Sequence, residues 1–162
     1  MEKDSAAQRQ IKYRHGDQAI LDEIKDLWEA LNLYHCERSA NFKHHYRGMT
    51  FEKRKAALLR KAEGGEMRVD IALDEGTGKS VGYVVSTVNC DNVGEIQSVY
   101  VDAACRRLGI GTVLMRHTLE WMDEKAASEK VVEVSVGNEA VWAFYGRFGF
   151  KPRLTLLKQI KE

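Results

Sequence analysis

Hydrophobic and polar residues alternate along several stretches of this chain and recur at helical intervals along others. Residues 67–73 alternate Met, Val, Ile and Leu with Arg and Asp, the period-2 pattern of a half-buried strand. Residues 79–88 (KSVGYVVSTV) and 93–101 (VGEIQSVYV) are two more β-rich runs. Short polar turns at 74–78 and 90–92 separate the three, so they predict an antiparallel meander. Upstream, residues 11–14 predict a short first strand broken by Gly16, and Asp17 can cap a helix after it. There Ile20, Ile24, Leu27, Trp28 and Leu31 recur at i, i+3 and i+4, the spacing of an amphipathic helix. Thr50 can cap a second helix, with Phe51, Ala56, Leu58 and Leu59 as its apolar residues, ended by Gly64 and Gly65. In a third helical pattern Val113, Leu114, Leu119 and Met122 recur at helical intervals, with Trp121 beside them.

Downstream, residues 130–136 (KVVEVSV) form a continuous β-branched run, read as a buried strand. This run comes after a helical crossover, which predicts that it lies parallel to and beside the 93–101 strand. Asn138 opens a short helix that Gly149 ends, and residues 150–160 predict a last strand. The architecture is therefore α/β (α+β): a mixed, mostly antiparallel, twisted sheet with helices on both faces. The whole of 1–162 reads as a single domain.

Charge narrows the partners. Lys plus Arg total 25 against 24 Asp plus Glu, a formal net charge of +1, which gives no global pull toward nucleic acid or an anionic membrane. The N-terminal MEKDSAAQRQ is polar, so no signal peptide or membrane span is expected. Cys36, Cys90 and Cys105 lack C-x-x-C spacing and read as free thiols in a reducing cytoplasm.

Residues 34–49 are the least regular. His35, Cys36, His44 and His45 cluster there, but their spacing matches no zinc pattern, and the stretch reads as an exposed polar loop without metal.

The stretch 93–124 carries the clearest chemistry. A β-rich run leads through a small, polar break (102–107) into Gly109 and Gly111, which open the third helix. The first turn of a helix has backbone N–H groups without internal partners and the positive end of the helix dipole. A phosphate can satisfy both. The glycines allow close approach and positive φ, and Arg106 and Arg107 add charge. A Walker A loop would need Lys-Ser/Thr after the second glycine, and a dinucleotide fingerprint would need a third glycine.

The order Arg106-Arg107-Leu108-Gly109-Ile110-Gly111 between such a strand and helix resembles the acetyl-CoA loop of the GNAT superfamily of N-acetyltransferases. Glu95 stands on the preceding strand, where many members carry a catalytic carboxylate. Downstream, Asn138 followed by Phe144-Tyr145 and Gly149-Phe150 resembles the second family signature. The resemblance implies acetyl-CoA as cosubstrate and transfer to a primary amine by direct attack on the thioester. It also implies that backbone groups of Val99, Tyr100 and Val101 pair with the pantetheine arm. The pyrophosphate would sit on the turn formed by Arg106, Arg107, Leu108, Gly109, Ile110, Gly111 and Thr112. Asn138 would touch the pantetheine arm, Glu95 would serve as base and Tyr145 as acid. Phe42, Lys43, His44, Tyr46 and Arg47 would border the acceptor pocket, although a solvated connector fits the same residues. The basic tint of 43–47 would disfavour a strongly cationic acceptor, with Glu29, Glu37 and Glu95 as offsets. The implied partners are a small-molecule or peptide amine and a second copy in a homodimer. A catalytically silent acyl-CoA-binding regulatory module is the alternative reading.

Overall fold

The computed structural model describes residues 9–160. Five strands form one sheet in the order β1 (Ile11–Gly16), β2 (Glu66–Asp74), β3 (Ser80–Val88), β4 (Val93–Val101) and β5 (Glu129–Val132). The first four pair antiparallel and β5 runs parallel to β4, as the helical crossover requires. Before the sheet's second strand come α1 (Lys25–Arg38), α2 (Lys43–Gly48) and α3 (Phe51–Lys61); α4 (Ile110–Glu124) bridges β4 and β5, and α5 (Trp142–Gly146) comes after β5.

Two hydrophobic clusters cover the two faces of the sheet. On one, Leu21, Ile24, Leu27 and Trp28 join Phe51 and Leu58 of α3 over Val69, Ile71, Tyr83 and Val85. On the other, α4 buries Ile110, Leu114, Met115, Trp121 and Met122 against Val84, Val88 and Ile96. Each such apolar side chain contributes roughly 1.5–3 kcal/mol on burial. Thr118, also fully buried, shares a 2.9 Å hydrogen bond with Ser86, so its hydroxyl keeps a partner.

Several sequence expectations need correction. Gly16 is the last residue of β1 rather than a break before its end. The Asp17 side chain does cap, accepting from Ala19 N at 2.8 Å, but the first turn it opens (Gln18–Ile24) is a 3₁₀ helix that only then becomes α1. The strand at 67–73 is buried on both faces: Arg68 and Asp70, the polar half of the alternation, pair through two 2.8 Å hydrogen bonds, with Asp70 almost wholly enclosed. The stretch 34–49 is not a loop. Helix α1 runs on to Arg38, and α2 adds a further turn and a half, anchored by Asn32 Nδ2 donating to the Tyr46 carbonyl at 2.9 Å.

The β-branched run 130–136 keeps strand geometry only to Val132. Its neighbour explains why. Val85 opposes Ser98 and Ser86 opposes Ile96, so Gln97 is an extra residue, a bulge in β4. The last β4–β5 pair is Ile96 with Val132; beyond the bulge β4 stays with β3 and leaves β5. Residues 151–160 form no strand and are exposed, Leu154, Leu156 and Leu157 included. β-branched or apolar composition makes a strand only where a ladder partner exists, and no strand among the described residues pairs with this segment.

Candidate active site

The parting of β4 and β5 opens a cavity of about 840 Å³, floored by β4 and walled by α1–α3 on one side and by α4, α5 and the 133–138 segment on the other. Val99, Tyr100 and Val101 lie past the bulge. Their β3-facing edge is paired with Val84, Tyr83 and Gly82, and their other edge has lost β5. That edge is where an extended ligand can add as a further strand. The Val101 carbonyl is already taken, because Arg106 Nε donates to it at 3.0 Å.

The turn into α4 leaves backbone donors open. Gly109 is its N-cap with φ +76°, a left-handed conformation that suits glycine, and no side chain caps the helix. The first-turn N–H groups therefore border the cavity without a hydrogen-bond acceptor among the described residues. Arg107 also has positive φ (67°), which tightens the turn. Arg106 is held across Tyr100 and Tyr34, its guanidinium 5.5 and 5.9 Å from the ring centres. Ile110 is buried in the core and offers the cavity its backbone, while Thr112 lines the wall. Leu108 is the exception among the residues of this turn: it is 54% exposed and outside the cavity lining. Gly111 has a different reason from the one its spacing suggested. A Cβ there would meet the Phe144 ring at 3.3 Å, so the missing side chain admits α5 rather than a ligand.

Asn138, also in the wall, accepts from the Tyr34 hydroxyl at 3.2 Å, which ties α1 to the segment after β5. Tyr145 is buried on α5, edge-on to Phe144 and Phe150, and still lines the cavity. Burial pushes its hydroxyl up to about 12, so it holds its proton throughout the neutral range. Glu95 reaches the cavity from β4 and is paired with Lys61 Nζ at 2.6 Å; its side chain is 22% exposed and that of Lys61 41%. Such a part-exposed pair is worth only ~0.2–1 kcal/mol.

Of the residues expected at an acceptor pocket, Tyr46 is present, its hydroxyl donating to Ser135 at 3.0 Å. Phe42, Lys43, His44 and Arg47 are not on the cavity lining: Lys43, His44 and Arg47 are exposed on α2, and Phe42 is half-buried just before it; Glu29 and Glu37 are also off the lining. His45 and His35 take their place. His35 stacks on Tyr46 with ring centres 5.7 Å apart, and burial, aided by Arg38, lowers its pKa. Sequence reasoning missed Tyr34, Asn32, Arg54 and Lys61. A signal existed for the last two: Arg54, Leu58 and Lys61 are spaced four and three apart, one face of α3, with Leu58 at its buried centre.

The profile of the acetyltransferase (GNAT) family matches residues 26–150. The chain belongs to this family. An uncharacterized N-acetyltransferase of Methanocaldococcus jannaschii is 37% identical over 87 residues, covering 52% of this chain and 54% of that protein. The chain thus spans about half the length of this curated relative. Among solved structures, a GCN5-related N-acetyltransferase from Ralstonia eutropha superposes with a TM-score of 0.71 at 22% identity, covering 93% of this chain and 99% of the other. An aminoglycoside N-acetyltransferase in complex with CoA superposes at 0.67 with 14% identity, covering 96% and 97%. At these identities the two structures speak for the GNAT fold alone; in this chain the parting of β4 and β5 forms the cavity.

Proposed function

We propose that the chain, as one catalytic domain, transfers an acetyl group from acetyl-CoA to a primary amine. The observation that carries this is the conjunction of an uncapped α4 N-terminus at Gly109 with the unpaired edge of β4 in one cavity. An anion site beside a free strand edge suits a ligand with a pyrophosphate and an amide-bearing arm. The CoA-bound neighbour supports the same choice of ligand. When bound, acetyl-CoA supplies the activated acyl group; the chain supplies position and proton transfer.

The amides from Arg107 to Thr112 hold the pyrophosphate, with Arg106 and Arg107 adding charge. Val99 and Tyr100 offer backbone groups to the pantetheine arm, and Asn138 its side-chain amide. An alkyl amine is almost wholly protonated at neutral pH, and only its neutral form attacks. Glu95 accepts that proton, directly or through water, once the amine displaces Lys61 from it. Tyr145, neutral because it is buried, donates to the departing sulfur.

Incubating the protein with acetyl-CoA and a panel of primary amines, with mass-spectrometric detection of product, tests this reading. An amine gaining one acetyl group with release of CoA supports it. CoA binding without product from any amine would leave the non-catalytic acyl-CoA module.

A further inference from the structure

One end of the cavity holds a cation that forms no ion pair among the described residues. Arg54 lines the cavity from α3 and is half-buried. Its one side-chain hydrogen bond among the described residues runs from Nη2 to the carbonyl of Gln97, at 2.7 Å. Gln97 is the bulge residue of β4, so the guanidinium lies where the two strands begin to part. No ion pair to Arg54 exists among the described residues. Of the two acids that line the cavity, Glu95 is paired with Lys61, and Glu133 is exposed beyond the end of β5. Burial lowers the pKa of Arg54, while Tyr83, Glu95 and Glu133 act against that at longer range. A guanidinium has five donors, and four remain after the bond to Gln97. Its planar fork matches carboxylate and phosphate oxygens.

We propose that Arg54 is the anchor of an oxyanion subsite, and that the acceptor is a primary amine that also carries a carboxylate or phosphate. This rests on the acetyl-transfer reading and deepens it. The anionic group pairs with the free edge of Arg54 at the mouth of the wedge, and the amine of the same molecule faces Glu95. Lys61, on the same face of α3, adds a second positive charge to the subsite and is released from Glu95 as the amine arrives. The contribution of Arg54 to the bulge is compatible with this, because one donor serves Gln97 and the rest form no side-chain hydrogen bond among the described residues.

Matched pairs of amines test the subsite: alanine against ethylamine for a carboxylate, and O-phosphoethanolamine against ethanolamine for a phosphate. Binding to the CoA-loaded protein is measured by calorimetry, and turnover is measured in parallel. The anion-bearing member of at least one pair should bind about tenfold or more tightly than its neutral twin, as a charge-assisted hydrogen-bond pair predicts; which pair discriminates identifies the group. Arg54→Gln should collapse the ratio toward one, and Arg54→Lys should restore part of it, whereas a purely structural role at the bulge would weaken both members alike. If neutral twins bind as well as anionic ones, or if the ratio survives Arg54→Gln, the subsite is overturned. If anionic amines bind selectively but none is acetylated, the subsite stands and the acetyl-transfer reading fails.

Discussion

Replacing Glu95 by glutamine keeps the volume of the side chain and removes its charge and basicity. The structure bounds what else is lost. Among the described residues only Lys61 pairs with Glu95, at 2.6 Å, and its side chain is 41% exposed, so it returns to water when the partner disappears. Losing such a pair costs ~0.2–1 kcal/mol, which for a chain of this size lowers Tm by at most about 2–4 °C. Removing a general base costs ~10²–10⁴ in rate when proton transfer limits. At about 1.4 kcal/mol for each factor of ten, the catalytic loss exceeds the stability loss severalfold. Glu95→Gln should therefore lower kcat by that factor, with CoA affinity unchanged and Tm almost unmoved. Single-turnover kinetics with thiol release as readout, alongside thermal unfolding, separates the two effects. A kcat equal to wild type while chemistry limits the rate would refute the role of Glu95. A large fall in Tm would mark it instead as a structural residue.

Two titrating groups give further expected outcomes. Tyr145→Phe keeps the packing against Phe144 and Phe150 and removes only the hydroxyl, so kcat should fall by ~10²–10⁴ with little change in Tm; unchanged kcat would dismiss the hydroxyl as the acid. His35 has a lowered pKa, so below its ordinary value of 6.5 the unfolded chain takes up a proton that the folded chain resists. Its contribution is complete above that pH and is lost as pH falls through the folded value. Tm should drop between about pH 8 and pH 5.5, and His35→Asn should flatten that slope; an equal slope in both proteins would contradict the assignment.

Much of the frame was legible in the chain. The β-rich runs of β2 and β3, the helical spacing from Val113 to Met122 and the glycine at the entry to α4 are local signals, and local signals survive folding when packing agrees with them. What was illegible depended on neighbours. Gln97 bulges without a glycine or proline to mark it, and that one residue decides where β5 ends. Val134 and Val136 have strand propensity but no β4 backbone to pair with, and the apolar residues of 151–160 likewise have propensity without a partner. The polar composition of 34–49 hid α2, whose anchors are Asn32 and Ser135, distant in sequence. Arg54 and Lys61 gain their place in the site only through the packing of α3 beside β4, which brings them to Gln97 and Glu95. Gly111 carried the right letter for a reason that only the position of Phe144 reveals.

Calorimetric titration of CoA into the wild-type protein and into Gly109→Val tests the anion site most directly. At φ +76° a β-branched residue costs about 1–3 kcal/mol of backbone strain, and a Cβ there meets no protein atom within 4 Å, so the damage falls on the turn rather than on the core. Circular dichroism checks that the variant is folded. The expected result is saturable binding by the wild type and an affinity lower by about tenfold or more in the variant. A wild-type protein that takes up no CoA, or a Gly109→Val protein that binds it equally well, would contradict the claim that the α4 turn is the anion site of an acetyltransferase.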